Sequence, residues 1–126
     1  MTLKAWKVLE PLTDPPERRF DMMRSLSKKG LRPVLFLRPI IPGLTESEVD
    51  EILSMARDSG AIGLVTGSLR VTPKILRSLE RAGIPRREIE KRLRGRLREG
   101  KQLSLVETDL KREVEEKARR MGLVVF

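Results

Sequence analysis

Apolar positions recur along the chain with two different periods, and the alternation between them outlines a fold. In residues 13 to 30, TDPPERRFDMMRSLSKKG, Phe20, Met23 and Leu26 fall three residues apart, the spacing of one helix face. Asp14 reads as the N-cap, Pro15 as the first helical position, and Gly30 as the stop. LRPVLFL (31–37), which ends in the apolar run VLFL (34–37), reads as a fully buried strand. Thr45 and Glu48 then form a capping-box pattern, followed by Val49, Ile52, Leu53 and Ala56 on a second helix face that Gly60 ends.

The same grammar repeats. AIGLVTG (61–67) predicts a strand, and Thr72-Pro73 opens a helix that packs through Ile75, Leu76 and Leu79 until Gly83. Residues 85 to 99 predict a strongly basic helix with a thin stripe of Ile89, Leu93 and Leu97. QLSLV (102–106) is a weaker strand, a helix from about Thr108 to Met121 buries Leu110, Val114 and Ala118, and LVVF (123–126) follows Gly122 as a last strand. Residues 1 to 12 fit a helix tail or a short strand equally. Strands near 33–38, 62–66, 102–106 and 123–126, alternating with helices, predict an α/β fold: a parallel sheet of about four strands with flanking helices. Such an array makes an open sheet or a partial, half βα barrel, whose two outer edges, LVVF and the stretch near residues 3–9, would be exposed.

Length places all of this in a single α/β domain, 1–126, long enough to bury a core without a disulfide or metal. No apolar run approaches the ~18 residues of a membrane span, and no secretory pattern opens the chain, so no membrane partner and a cytoplasmic location are expected. Cysteine and histidine are both missing. That removes thiolate and imidazole chemistry, zinc sites of the usual ligands and cysteine-held clusters from this chain's own repertoire. No catalytic residue and no metal ligand is assigned to it.

Charge changes the picture further. The net charge is +9, and residues 70 to 101 carry twelve Lys/Arg against four Glu. A patch of this kind meets a polyanion or forms the solvated, arginine-rich surface of a thermophile's protein. No aromatic residues interleave the cations, which weakens the case for stacking on nucleic-acid bases. If the patch binds nucleic acid, the residues that grip phosphate are Arg86, Arg87, Arg92, Arg94, Arg96 and Arg98.

WKVLEP (6–11), the DPPERR helix start (14–19), RPIIPG (38–43) before a capped helix, and VTGSLR (65–70) before a Thr-Pro start occur in that order. Together they resemble the C-terminal part of radical S-adenosylmethionine enzymes, closest to the DNA repair photolyase-like, or spore photoproduct lyase-like, branch. The likeness covers about residues 4 to 84 and, more loosely, 100 to 126. It implies a partial or full βα barrel and an enzyme that reductively cleaves its cofactor and abstracts a hydrogen atom. The family's CxxxCxxC loop, which holds a [4Fe–4S] cluster, has no counterpart here. The chain therefore looks like the second half of such a core, lacking cluster ligands and inactive alone. S-adenosylmethionine and the cluster would come into play only with a cysteine-bearing N-terminal half as partner. A homodimer, a truncated reading frame and an inactive remnant are the other possibilities, beside a non-enzymatic nucleic-acid-binding module.

The resemblance and the rule that βα folds work at the C-terminal ends of their strands place the cofactor-binding residues at Arg38, Pro42, Gly43, Thr66, Gly67 and Ser68. Arg38 would receive a carboxylate or phosphate, although many relatives carry an acidic residue just before PIIPG. Each has a plain structural alternative. The RPIIPG loop works as a stiff turn, Thr66–Ser68 as a strand-to-helix turn, and Glu107 and Thr108 as a helix cap. Trp6 reads as a packing anchor, Met22 and Met23 as core, and Glu10 as either a strand-end carboxylate or an exposed one.

Overall fold

A computed structural model describes residues 1–126. The helices are α1 (Trp6–Leu9), α2 (Pro16–Lys28), α3 (Thr45–Asp58), α4 (Pro73–Arg81), α5 (Arg86–Glu90) and α6 (Thr108–Arg120). The strands are β1 (Val34–Ile40), β2 (Gly63–Ser68), β3 (Arg70–Val71), β4 (Leu103–Ser104) and β5 (Val124–Val125). The fold is α/β, with a parallel sheet ordered β1-β2-β5.

Three strands, not four, make that sheet. β4, inside the expected 102–106 strand, pairs antiparallel with β3 in a separate two-stranded ribbon. The chain leaves β2 at Ser68, makes an excursion through β3, α4, α5 and β4, and returns through α6 to lay β5 beside β2. This excursion builds its own core from Ile41, Leu69, Val71, Leu76, Leu79, Ile84, Ile89 and Leu105. It stands at the C-terminal end of the parallel strands, where βα folds elaborate their function.

The main core explains which way the sheet faces. Leu35 and Leu37 of β1 and Leu64 of β2 meet Phe20 and Met23 of α2, Val49, Ile52, Leu53 and Ala56 of α3, and Leu110, Val114 and Ala118 of α6. All three long helices therefore cover one face. Register places Phe36 beside Val65 and Gly63 beside Val124 on the other face. There Phe36 is 64% exposed, Val124 51% and Phe126 64%. Phe126 lies over Gly63, where an added Cβ would come within 2.7 Å of its ring. This face of the sheet is bare and apolar.

Several starts and stops differ from the sequence reading for local reasons. α2 begins at Pro16, with Pro15 in the cap position at φ −54°, ψ 151°. A residue before proline is pushed out of the helical region, so Pro15 cannot open the helix, and Asp14 makes no cap bond. The capping box at α3 does not form. Thr45 Oγ1 accepts from the Ile41 amide at 2.8 Å, and Glu46 accepts from the Gly43 amide at 2.7 Å. The carboxylate of Glu48, only 4% exposed, accepts instead from the Leu3 and Lys4 amides, both at 3.1 Å. Residues 1–9 are thereby drawn across the strand ends. They form a short helix rather than a sheet edge, and β1 and β5 are the edges. Met22 is exposed, whereas Met23 is core.

The largest departure is the basic helix. Helix persists only over Arg86–Glu90. Beyond it the chain turns at 91–92 and makes β-type contacts around Leu93 before bending at 94–95: Leu93 bridges Leu105, the Arg94 amide donates to the Ser104 carbonyl, and the Val106 amide donates to the Arg92 carbonyl. The stretch RLRGRLR (92–98) alternates arginine with Leu93 and Leu97, and both leucines pack against the second core. That is a period of two, which suits a strand-like segment better than a helix.

Candidate functional site

At the C-terminal ends of β1 and β2, Arg38 lies across Gly67. A Cβ at residue 67 would come within 2.9 Å of Arg38 Cγ and 3.0 Å of Cδ. Glycine here makes room for the arginine stem, which is the close approach that a side chain would block. Arg38 and Ser68 are exposed, and with Arg70 and Gln102 they line a groove of about 430 Å³. Three of the six expected cofactor residues, Arg38, Gly67 and Ser68, therefore come together.

The other three do not. The Thr66 hydroxyl donates to Glu115 of α6 at 3.2 Å. Pro42 is buried, and Gly43 faces Glu88 and Ile84, with an added Cβ 3.3 to 3.4 Å from them. RPIIPG thus turns its second half toward α5 and holds the excursion in place, while its first residue faces the groove.

The groove continues in both directions. Ser68 and Arg70 are shared with a second hollow of about 430 Å³ that also takes in Arg94, Ser104, Glu107, Thr108 and Lys111. Gln102 is shared with a third of about 250 Å³ lined by Arg96, Arg98, Lys101 and Leu103. Arg38, Arg70, Arg94, Arg96, Arg98, Lys101 and Lys111 belong to none of the ion pairs. A row of unpaired cations therefore runs along one side of the excursion. Gln102, Ser104 and Lys111 were not legible as site residues; the alternation over 92–98, read as extended chain, would have pointed to their neighbourhood.

The six arginines of the basic segment divide. Arg86 pairs with Glu80 at 3.2 Å and with Glu90. Arg92 holds both oxygens of Asp109, at 2.8 and 3.1 Å, and donates to the Val106 carbonyl at 3.0 Å. Those hydrogen bonds raise the pKa of Arg86 and of Arg92, and the Arg92 bond holds the Asp109 carboxyl below its ordinary value. Arg87, Arg94, Arg96 and Arg98 remain unpaired, and only the last three line the groove. Glu107 occupies the cap position of α6, but its side chain makes no cap hydrogen bond. It is 5% exposed, and its Oε2 is buried with no partner.

The donor set does not fit an iron–sulfur cluster, since the chain holds neither Cys nor His. An unpaired guanidinium at a strand end does fit the carboxylate of an amino-acid-bearing cofactor. No helix is long and apolar enough to cross a membrane. No protein-family model, curated protein or solved structure matches the chain.

Proposed function

We propose that this chain is one half of a βα-barrel core of the radical S-adenosylmethionine type, completed by a second polypeptide that carries the cluster cysteines. One observation carries this reading: α2, α3 and α6 all cover the same face of the parallel sheet, and the opposite face is bare and apolar. A doubly wound sheet covers both faces with helices, whereas a βα barrel keeps its helices outside and closes the bare face inward. Arg38, Gly67 and Ser68 stand at the C-terminal rim of that face, where a barrel receives its ligand. In this reading Arg38 binds the cofactor's carboxylate, and Gly67 gives the arginine stem its room. The cofactor, bound against the partner's cluster, supplies hydrogen-atom abstraction.

Affinity isolation of the chain from its native cells tests this. The expected result is a stoichiometric polypeptide bearing CxxxCxxC, with a thiolate-to-iron absorption band in the complex. Phe36→Lys with Phe126→Lys should release it. Isolation of the wild type without any cysteine-bearing partner would overturn the reading.

The row of unpaired cations favours a second reading, a non-enzymatic module that binds nucleic-acid phosphates along Arg94, Arg96, Arg98 and Lys101. Charge reversal of Arg96 and Arg98 should then abolish a salt-sensitive affinity for DNA or RNA. Undetectable binding of the wild type at low salt would dismiss it.

A further inference from the structure

Strand alternation fixes what stands on the bare face of the sheet. On β1 it sets Phe36 and Arg38 on that side, on β2 Val65 between Gly63 and Gly67, and beyond β2 Val124 and Phe126. No carboxylate side chain is among them. Register puts Phe36 opposite Val65, and one further step of the β2–β5 register puts Phe126 on the other side of the same valine. The two side chains are thus two strand spacings, about 10 Å, apart. Each is 64% exposed, and the Phe126 ring lies over Gly63.

Arg38 follows Phe36 on the same face, about 7 Å along β1. From it the groove runs past Arg70 and Gln102 to Arg96, Arg98 and Lys101. None of these cations belongs to an ion pair. Two different demands therefore meet along one surface. Cations without carboxylate partners call for an anion. Exposed rings on an open sheet face call for a flat apolar partner. A single-stranded nucleic acid answers both, because each nucleotide joins a phosphate to a base with an open π-face. A duplex answers only the first, since its bases already stack on one another. The aromatic side chains missing from the 70–101 stretch are supplied by the sheet.

We propose that the bare face binds single-stranded nucleic acid, with one base on Phe36, a second on Phe126, and the phosphates led by Arg38 along the cation row toward Arg96 and Arg98. This rests on the nucleic-acid reading above and names the form that is bound. Charge selects the occupant: a second copy of the chain would bring +9 against +9, whereas a polyanion is attracted.

Fluorescence anisotropy of labelled oligothymidylate, single-stranded and annealed to oligoadenylate, tests it on the full chain. The wild type should bind the single strand at least about fivefold more tightly than the duplex at equal salt, the lower bound for one stacked base. Phe36→Leu and Phe126→Leu should each cost the single strand about fivefold or more, while the duplex affinity and the salt slope stay as they were. Phe36→Trp should keep the single-strand affinity. Arg96→Ala with Arg98→Ala should weaken both forms and flatten the salt slope. Binding of neither form at low salt would dismiss the nucleic-acid reading and this proposal with it. Salt-sensitive binding that is indifferent to both leucines, or no tighter for the single strand, would keep that reading and overturn the proposal. Leucine preserves an apolar surface, so a polypeptide on this face would tolerate a change that a stacked base does not. A dimer in sedimentation that oligothymidylate fails to dissociate would assign the face to a second copy and overturn the proposal as well. Both rings are exposed, so the leucine variants should keep a native far-ultraviolet spectrum. Should either misfold, Phe36→Trp and the wild-type preference still decide.

Discussion

Arg92 and Asp109 meet through two hydrogen bonds, at 2.8 and 3.1 Å, that tie the extended segment to the start of α6. The bond from Arg92 is the main cause of the lowered Asp109 pKa. A carboxyl whose folded pKa is depressed adds stability above its unfolded value, and that stability is lost as pH falls through the folded value. Asp109→Asn should therefore lower stability at neutral pH, modestly for so exposed a pair, and the difference from the wild type should shrink as pH falls through and below the usual carboxylate range. Urea unfolding across acidic pH measures this. Gly63 makes a steric rather than an electrostatic claim. A Cβ there would strike the Val124 carbonyl and approach the Phe126 ring to 2.7 Å. Gly63→Ala should cost about 1–3 kcal/mol, as overpacking does. It should also speed hydrogen exchange at the Val124 and Phe126 amides, which donate to Ile62 and Leu64. Glu48→Ala orphans two amides of the N-terminal segment and should cost about 1–3 kcal/mol in urea.

Helix starts show what local chemistry secures. Thr72 accepts from the Ile75 amide at 3.1 Å ahead of Pro73, as the Thr-Pro pattern predicts. Thr72→Ala should cost about 1 kcal/mol. Asp14→Ala should change stability by less than about 0.5 kcal/mol, because Asp14 caps nothing and its ion pair with Arg18 is exposed at 3.8 Å. A denaturant midpoint for each variant separates the two. In the 92–98 stretch the same leucines serve either period: Ile89, Leu93 and Leu97 fall four apart, while arginine and leucine alternate from 92 to 94 and 96 to 98. Pairing decides between them, because β-type bonds to residues 104–106 satisfy backbone groups that an isolated, highly charged helix would expose.

The parallel sheet has helices on one face and none on the other, so the molecule presents an apolar surface around Phe36, Val124 and Phe126. Exposed patches of this kind mark contact sites. Covering one such aromatic side chain completely stabilises a contact by roughly 1.5–3 kcal/mol. Phe36→Lys with Phe126→Lys should thus abolish association, with a native far-ultraviolet spectrum. If the isolated chain forms a homodimer at micromolar concentration, sedimentation should show the pair of lysines converting it to monomer. A dimer indifferent to both changes would place its interface elsewhere.

The sequence by itself determined the elements with strong periods or caps. Phe20 and Met23, the Val49–Ala56 face, Leu35 and Leu37, Thr72-Pro73, and the Leu110–Ala118 face all stand where their spacing puts them. Burial and capping there are local properties, written within a few residues. It also brought Arg38, Gly67 and Ser68 to one place, because the apolar runs of β1 and β2 put all three near the C-terminal ends of adjacent strands. Tertiary structure decided the rest. Glu48 answers to amides 44 and 45 residues away, and Arg92 to a carboxylate 17 residues on. Lys111 meets Arg70 and Arg94 only because α6 returns past the β3–β4 ribbon. The strand at 102–106 left the main sheet because its partner was β3, a two-residue strand too short to register as a period. Contacts between distant segments carry no local signal, so which cations stay unpaired, and which face of the sheet stays bare, emerges only once the chain has folded.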